Sequence, residues 1–96
     1  MDVVLRGEDI RSEQDLHRLL ADKLDFGPYY GANLAALWDR LTTDVERPVR
    51  LIWENAASSR AAMGDALFAK ITQLLRDVER QDRDWGLSDA FTVSIV

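Results

Sequence analysis

A chain of 96 residues, 47% hydrophobic and 30% charged, is sized and composed for a single soluble domain spanning residues 1–96. Its net charge of −5 argues against a general grip on nucleic acid, because phosphate neutralisation needs clustered Lys and Arg. The absence of cysteine removes thiol nucleophiles and sulfur metal ligands, and points to a reducing, cytoplasmic setting.

The chain opens with Val3-Val4-Leu5, a short apolar run that fits a strand over Val3–Arg6. Asp2, Arg6, Glu8, Asp9, Arg11 and Glu13 break up this region, so a signal-peptide core is not expected here. No window approaches the roughly eighteen apolar residues of a membrane helix. Ser12 stands three residues before Asp15, the spacing of a helix-opening capping box. Leu16, Leu19, Leu20 and Leu24 then form one helical stripe, which Gly27-Pro28 ends.

A loop over Pro28–Ala32 leads to Asn33, a suitable N-cap. Leu34, Leu37, Trp38 and Leu41 recur as the face of a second helix, which Pro48 stops. Val49–Trp53 reads as a strand, and the apolar Leu51-Ile52-Trp53 on both faces marks it as the most buried of the set. Ala56–Ala62 is weakly helical, and Gly64 punctuates it. Asp65 is placed to cap a long last helix with the stripe Leu67, Phe68, Ile71, Leu74, Leu75 and Val78. Gln81–Ala90 is polar and reads as a loop, and Phe91–Ile95 alternates at period two as a final strand. Helical crossovers between strands imply right-handed, parallel connections, hence an α/β fold with a three-stranded parallel sheet and about four helices.

Catalytic and metal motifs are sparse. No phosphate loop and no dinucleotide fingerprint is present. The single histidine, His17, makes an i, i+4 pair with Glu13, but no second histidine can complete a metal site, so a surface or helix-packing role is expected. No cofactor and no catalytic residue is assigned. Asp77 and Glu79 sit among Arg76, Arg80 and Arg83, which suggests a solvated, salt-bridged helix face, above all for Glu79.

The informative stretch is Asp25–Asp44. Trp38 belongs to the apolar stripe with its indole edge near the surface. Asp39, one step further round, shares a flank with Ala35 and Thr42 and has no Lys or Arg at i±3 or i±4. Tyr29 and Tyr30 precede the helix, and tyrosine gives rigid contact area with a polar tip. Gly27 and Gly31 allow a tight turn or close approach. A plainer reading makes one tyrosine a core residue and leaves Asp39 simply exposed; these residues by themselves do not choose between the two.

The runs GEDIRSEQDLH (Gly7–His17) and YYGANLAALWDRLT (Tyr29–Thr42), followed by Val45-Glu46 and Pro48, resemble the barstar family of intracellular inhibitors of secreted barnase-type ribonucleases. The resemblance spans nearly the whole chain and is strongest up to Pro48. It implies strand order 1-2-3 and a protein, not an enzyme, that plugs a ribonuclease active site with residues 28–44. Asp39 would lie where substrate phosphate binds. Partner-binding positions implied in this way are Tyr29, Tyr30, Gly31, Asn33, Ala35, Trp38, Asp39, Thr42, Thr43 and Asp77.

The expected partner is a basic microbial ribonuclease, barnase-like or a related guanyl-preferring enzyme, bound one to one, with no nucleic acid and no membrane involved. Departures from the family pattern bear on the partner. An acid is replaced by Ala35 and Gly-Trp by Thr43-Asp44, Pro28 is shifted by one position, the family cysteines are missing, and extra residues fall in Asp82–Ala90. The alternative is an immunity- or antitoxin-like binding module for a different nuclease or a non-nuclease partner. The resemblance leaves the Arg47-Pro48 bond open between cis and trans.

Overall fold

The computed structural model describes residues 1–96. Strands β1 (Asp2–Arg6), β2 (Val49–Glu54) and β3 (Phe91–Ile95) form one parallel sheet in the order β1-β2-β3, as the crossover argument and the resemblance imply. Helices α1 (Glu13–Leu24) and α2 (Leu34–Asp39) link β1 to β2, and α3 (Ala56–Met63) and α4 (Asp65–Asp84) link β2 to β3. Leu5 is level with Trp53, and Leu51 with Val93.

Burial alternates along every strand. Val3, Leu5, Val49, Leu51, Trp53, Phe91 and Val93 join the helix residues Leu16, Leu20, Leu37, Ile71, Leu75 and Val78 in one core. Asp2, Val4, Arg6, Arg50, Glu54, Thr92 and Ser94 are exposed on the opposite face. The sheet is therefore covered on one side. β2 is central and the most buried strand, as expected, but its second face is not sealed: Ile52 is only half-buried and Arg50 meets water. A strand with two apolar faces is not distinguishable in sequence from one whose second face keeps a single half-covered isoleucine.

Helix starts follow the local chemistry, with two adjustments. Ser12 Oγ accepts from the Asp15 amide, but the Asp15 carboxylate reaches back to the Arg11 amide, one residue before the cap. Asp65 does not cap α4. Gly64 holds that position at φ 95°, and Asp65 lies in the first turn, where it suits the positive end of the helix and pairs with Arg60 at 2.7 Å. No helix is long and apolar enough to cross a membrane.

The end of α4 departs most from expectation. Gln81–Asp84 continue the helix, so the connection to β3 shrinks to residues 85–90. Asp82, 2% exposed, explains the extension. Its Oδ2 accepts from Arg47 Nε at 2.7 Å and from the Phe91 amide at 2.7 Å, and its Oδ1 accepts from Arg47 Nη2 at 3.1 Å. One buried carboxylate thus ties the cis Arg47-Pro48 approach to β2 to the first residue of β3. Glu79, expected on a solvated face, accepts from the Val93 amide at 2.9 Å. Residues one helical turn apart share a face, so α4 lays both acids along the outer edge of β3.

Across the sheet, Gly7 sits against α3. A Cβ there would lie 1.8 Å from the Asn55 carbonyl oxygen. Ser59 Oγ donates to the Gly7 carbonyl at 2.8 Å and accepts from Trp53 Nε1 at 3.1 Å, which satisfies a buried indole inside the core.

Candidate functional site: the α2 face and its loop

The site is built on a short helix with an unusual end. Asn33 Oδ1 accepts from the Ala36 amide at 2.8 Å and starts α2 as the sequence predicts. The α-helical pattern stops at Asp39, and Arg40–Asp44 form a wider π turn in which the Val45 amide bonds to the Arg40 carbonyl at 3.2 Å. Two threonines favour this turn. Thr42 Oγ1 donates to the Trp38 carbonyl at 2.7 Å, and Thr43 Oγ1 to the Asp39 carbonyl. Thr42 and Thr43 are thus engaged by their own helix, while Leu37 and Leu41 stay buried beneath it.

Asp39 is exposed, and its carboxylate has neither an ion pair nor a hydrogen bond. The adjacent Arg40 points elsewhere. It pairs with Asp44 at 3.5 Å, donates to the Phe26 carbonyl and lies 5.8–5.9 Å from the Phe26 and Tyr30 ring centres. The flank of small residues beside Asp39 is as expected, with Ala35 exposed and Thr42 half-buried.

Trp38 is half-buried and forms one wall of an open groove of about 690 Å³ between α2 and α4. Leu34, Ala35 and Leu74 continue its apolar lining, and Lys70, Gln73 and Asp77 stand at the rim. The fold therefore brings Asp77 onto the same face as Ala35 and Trp38, although the two elements are far apart in sequence. Asp77 differs from Asp39 in being compensated: its Oδ1 accepts from Arg80 at 2.7 Å and from Gln73 at 2.9 Å.

The preceding loop separates the two tyrosines. Tyr29 is 91% exposed. Tyr30 is half-buried, its ring 4.8 Å from that of Phe26 and its hydroxyl 2.6 Å from His17 Nδ1. Gly27 takes the left-handed region at φ 77°, but Gly31 does not; the second sharp bend falls on Ala32 at φ 51°. Nor does close approach require Gly31, since a Cβ there would meet the Ala36 Cβ at an ordinary 3.4 Å. His17 is buried, not at the surface, and Nε2 contacts Glu13 at 2.8 Å. Sequence reasoning saw the Glu13–His17 spacing but not its connection to Tyr30. No group of three or more His, Asp or Glu side chains is arranged to hold a metal ion.

Fold and face define a one-sided parallel α/β domain with an exposed, unpaired carboxylate, Asp39, next to the tryptophan that walls an apolar groove. Residues 1–94 match the family model described as Barstar (barnase inhibitor). The Bacillus subtilis (strain 168) protein named "Putative ribonuclease inhibitor YrdF" is 34% identical over 82 residues, covering 85% of this chain and 89% of that relative. The chain belongs to the barstar family.

Proposed function

We propose that this chain is an intracellular protein inhibitor of a secreted, basic microbial ribonuclease. It blocks the enzyme one to one by presenting residues 28–44 to the active site, with no catalytic step and no cofactor of its own. The observation that carries the reading is Asp39: exposed, at the end of α2 where the π turn begins, and free of any neutralising group. Leaving a carboxylate unpaired beside a positively charged side chain, when Arg40 could have turned towards it, is what a site awaiting external cations requires. The family membership and the name of the Bacillus subtilis relative support the same direction.

Mechanistically, Asp39 would take the place of substrate phosphate among the enzyme's basic groups. Tyr29, Tyr30, Gly31 and Asn33 would cover the rim of the active site. Trp38, Ala35, Thr42 and Thr43 would supply contact along the helix, and Asp77 would add a second, weaker acidic contact. Arg80 and Gln73 already satisfy Asp77, and Ala35 offers no charge. This reduced acidity favours a related guanyl-preferring enzyme over barnase itself. It also gives the alternative of an immunity-like module for another nuclease its best footing.

The test is a panel of purified microbial ribonucleases, barnase included, assayed with the parent protein and Asp39→Ala. Truncating one member of a desolvated charge pair costs roughly 2–5 kcal/mol, about a 30- to 5,000-fold loss of affinity, and barnase–barstar is itself among the complexes on which that general magnitude was measured. The expected result is inhibition by the parent and its loss in the variant, with no change in folding. A parent that inhibits nothing refutes the inhibitor reading. A variant that inhibits as well as the parent refutes the phosphate-mimic role.

A further inference from the structure

The loop between α1 and α2 cannot owe its shape to its own contacts. Asp25, Gly27 and Ala32 all take left-handed φ angles, of 55°, 77° and 51°. For a non-glycine residue this conformation is costly; at Asp25 it is the C-cap of α1, so Ala32 is the position that the surroundings must enforce. Within the loop, the one side-chain bond is the long Asn33 Nδ2 to Gly31 carbonyl contact of 3.4 Å. Tyr29 stands almost free in solvent, so it anchors nothing.

Phe26, buried in the core with its carbonyl accepting from Arg40, fixes the start of the loop, and Tyr30 anchors the part beyond it through contacts from outside the loop. The phenol ring packs edge-on to His17, with centroids 5.5 Å apart, and tilts against Phe26. Arg40 approaches the same ring from the α2 side. The hydroxyl is 2.6 Å from His17 Nδ1, and His17 Nε2 is 2.8 Å from Glu13 Oε2. Burial pushes the phenol up to about 12, with the Glu13 charge adding to the shift and Arg40 opposing it. The hydroxyl therefore keeps its proton at neutral pH. Nδ1 is engaged by the hydroxyl and Nε2 by the carboxylate, so both imidazole nitrogens are tied, one to the loop and one to α1. His17 is 2% exposed, too deep for any binding partner to reach.

We infer that Glu13 and His17, on α1, are positioning residues for the partner-binding loop, acting through the Tyr30 hydroxyl to fix the backbone that displays Tyr29. The inference rests on the inhibitor reading for its purpose but not for its geometry. A loop already in its bound shape costs less ordering on association, so releasing it lowers apparent affinity by the fraction of time it spends elsewhere.

The experiment pairs ¹⁵N relaxation of the free protein with inhibition of a ribonuclease that the parent inhibits. Tyr30→Phe removes only the hydroxyl, His17→Gln breaks the chain at its middle, and Glu13→Ala breaks it at the half-exposed end. The order parameters of residues 29–33 should fall from about 0.85 to below about 0.6 in Tyr30→Phe and His17→Gln, while those of β2 stay unchanged. Glu13→Ala should do so less, and Glu13→Gln, which keeps an acceptor, should restore the loop. Inhibition should weaken about tenfold in Tyr30→Phe, and no further in the double variant with His17→Gln, because both act through one bond.

A loop that stays rigid in both Tyr30→Phe and His17→Gln overturns the inference. So does weakened inhibition with an unchanged loop, which would make the hydroxyl a direct contact. If the loop loosens as expected but the parent inhibits no ribonuclease, the inhibitor reading falls and the positioning role stands.

Discussion

The α2 face and the α4–β3 edge use the same side chain in opposite ways. Asp39 is exposed and has no partner. Asp82 is buried and has three bonds, two to Arg47 and one to the Phe91 amide. Glu79 extends the second pattern by accepting from Val93 on the outer edge of the sheet. That edge would otherwise expose amides ready to pair with another strand. An acid that closes a backbone edge is committed to the fold, and an acid left open on a short helix is available to something outside it. Net charge alone does not distinguish them; the partners do.

The comparison breaks first at Asp82. Asp82→Ala leaves the Arg47 guanidinium and the Phe91 amide without their acceptor, and removing one member of a buried pair costs about 3–5 kcal/mol. Urea unfolding should therefore show this as the largest loss among the acids. Burial raises the Asp82 carboxyl, but the bonds from Arg47 and the Phe91 amide, with the Arg47 charge, outweigh it and hold the group below its usual 3.8. A carboxyl depressed in the folded state gives stability that is full above its unfolded pKa and is lost as pH falls through the folded value. The gap between parent and Asp82→Ala should accordingly narrow below about pH 4. A constant gap would assign the loss to shape, not charge.

Trp38 lies between the two regimes, half in the core and half on the groove. Trp38→Ala should lower stability by about 2 kcal/mol, less than the cost of a fully buried indole, and should also weaken ribonuclease inhibition. Equal effects on folding and inhibition would make the groove a structural seam with no contact role. Glu79→Ala should cost about 1 kcal/mol by removing one bond to an edge amide that water can then reach. If size-exclusion chromatography also shows concentration-dependent association, the edge-closing role is sharpened.

Asp39→Ala should have the smallest effect on folding, under about 0.5 kcal/mol, because it removes no intramolecular partner. A larger loss would erase the contrast with Asp82. Under the proposed function its large effect should fall on inhibition alone. Association of the acidic inhibitor with a basic enzyme should also slow as ionic strength rises, measured by stopped flow, since screening shortens the reach of exposed charges.

Local periodicity made most of the architecture legible. Alternating or apolar runs gave all three strands, leucine spacing gave α1 and α2, and Ser12 and Asn33 gave two helix starts, because these signals depend on neighbours within a few residues. The same locality misplaced the end of α4. Residues 81–84 are polar, and nothing near them in sequence reveals that Asp82 turns inward to meet Arg47, 35 positions away. Glu79 read as a solvated residue for the same reason: its acceptor role depends on a strand that arrives 14 positions later.

At the candidate site the division is similar. The sequence by itself determined that Asp39 would stand on a helical flank of small residues with no cation one turn away, since helix geometry fixes those neighbours. It also determined that two tyrosines would precede the helix. Only the tertiary structure decided which tyrosine faces water and which reaches His17, and that Asp77 would share the groove with Trp38 yet arrive already paired. Those outcomes depend on α1, α2 and α4 packing on one face of the sheet, and burial and pairing between distant residues follow from that packing, not from spacing along the chain.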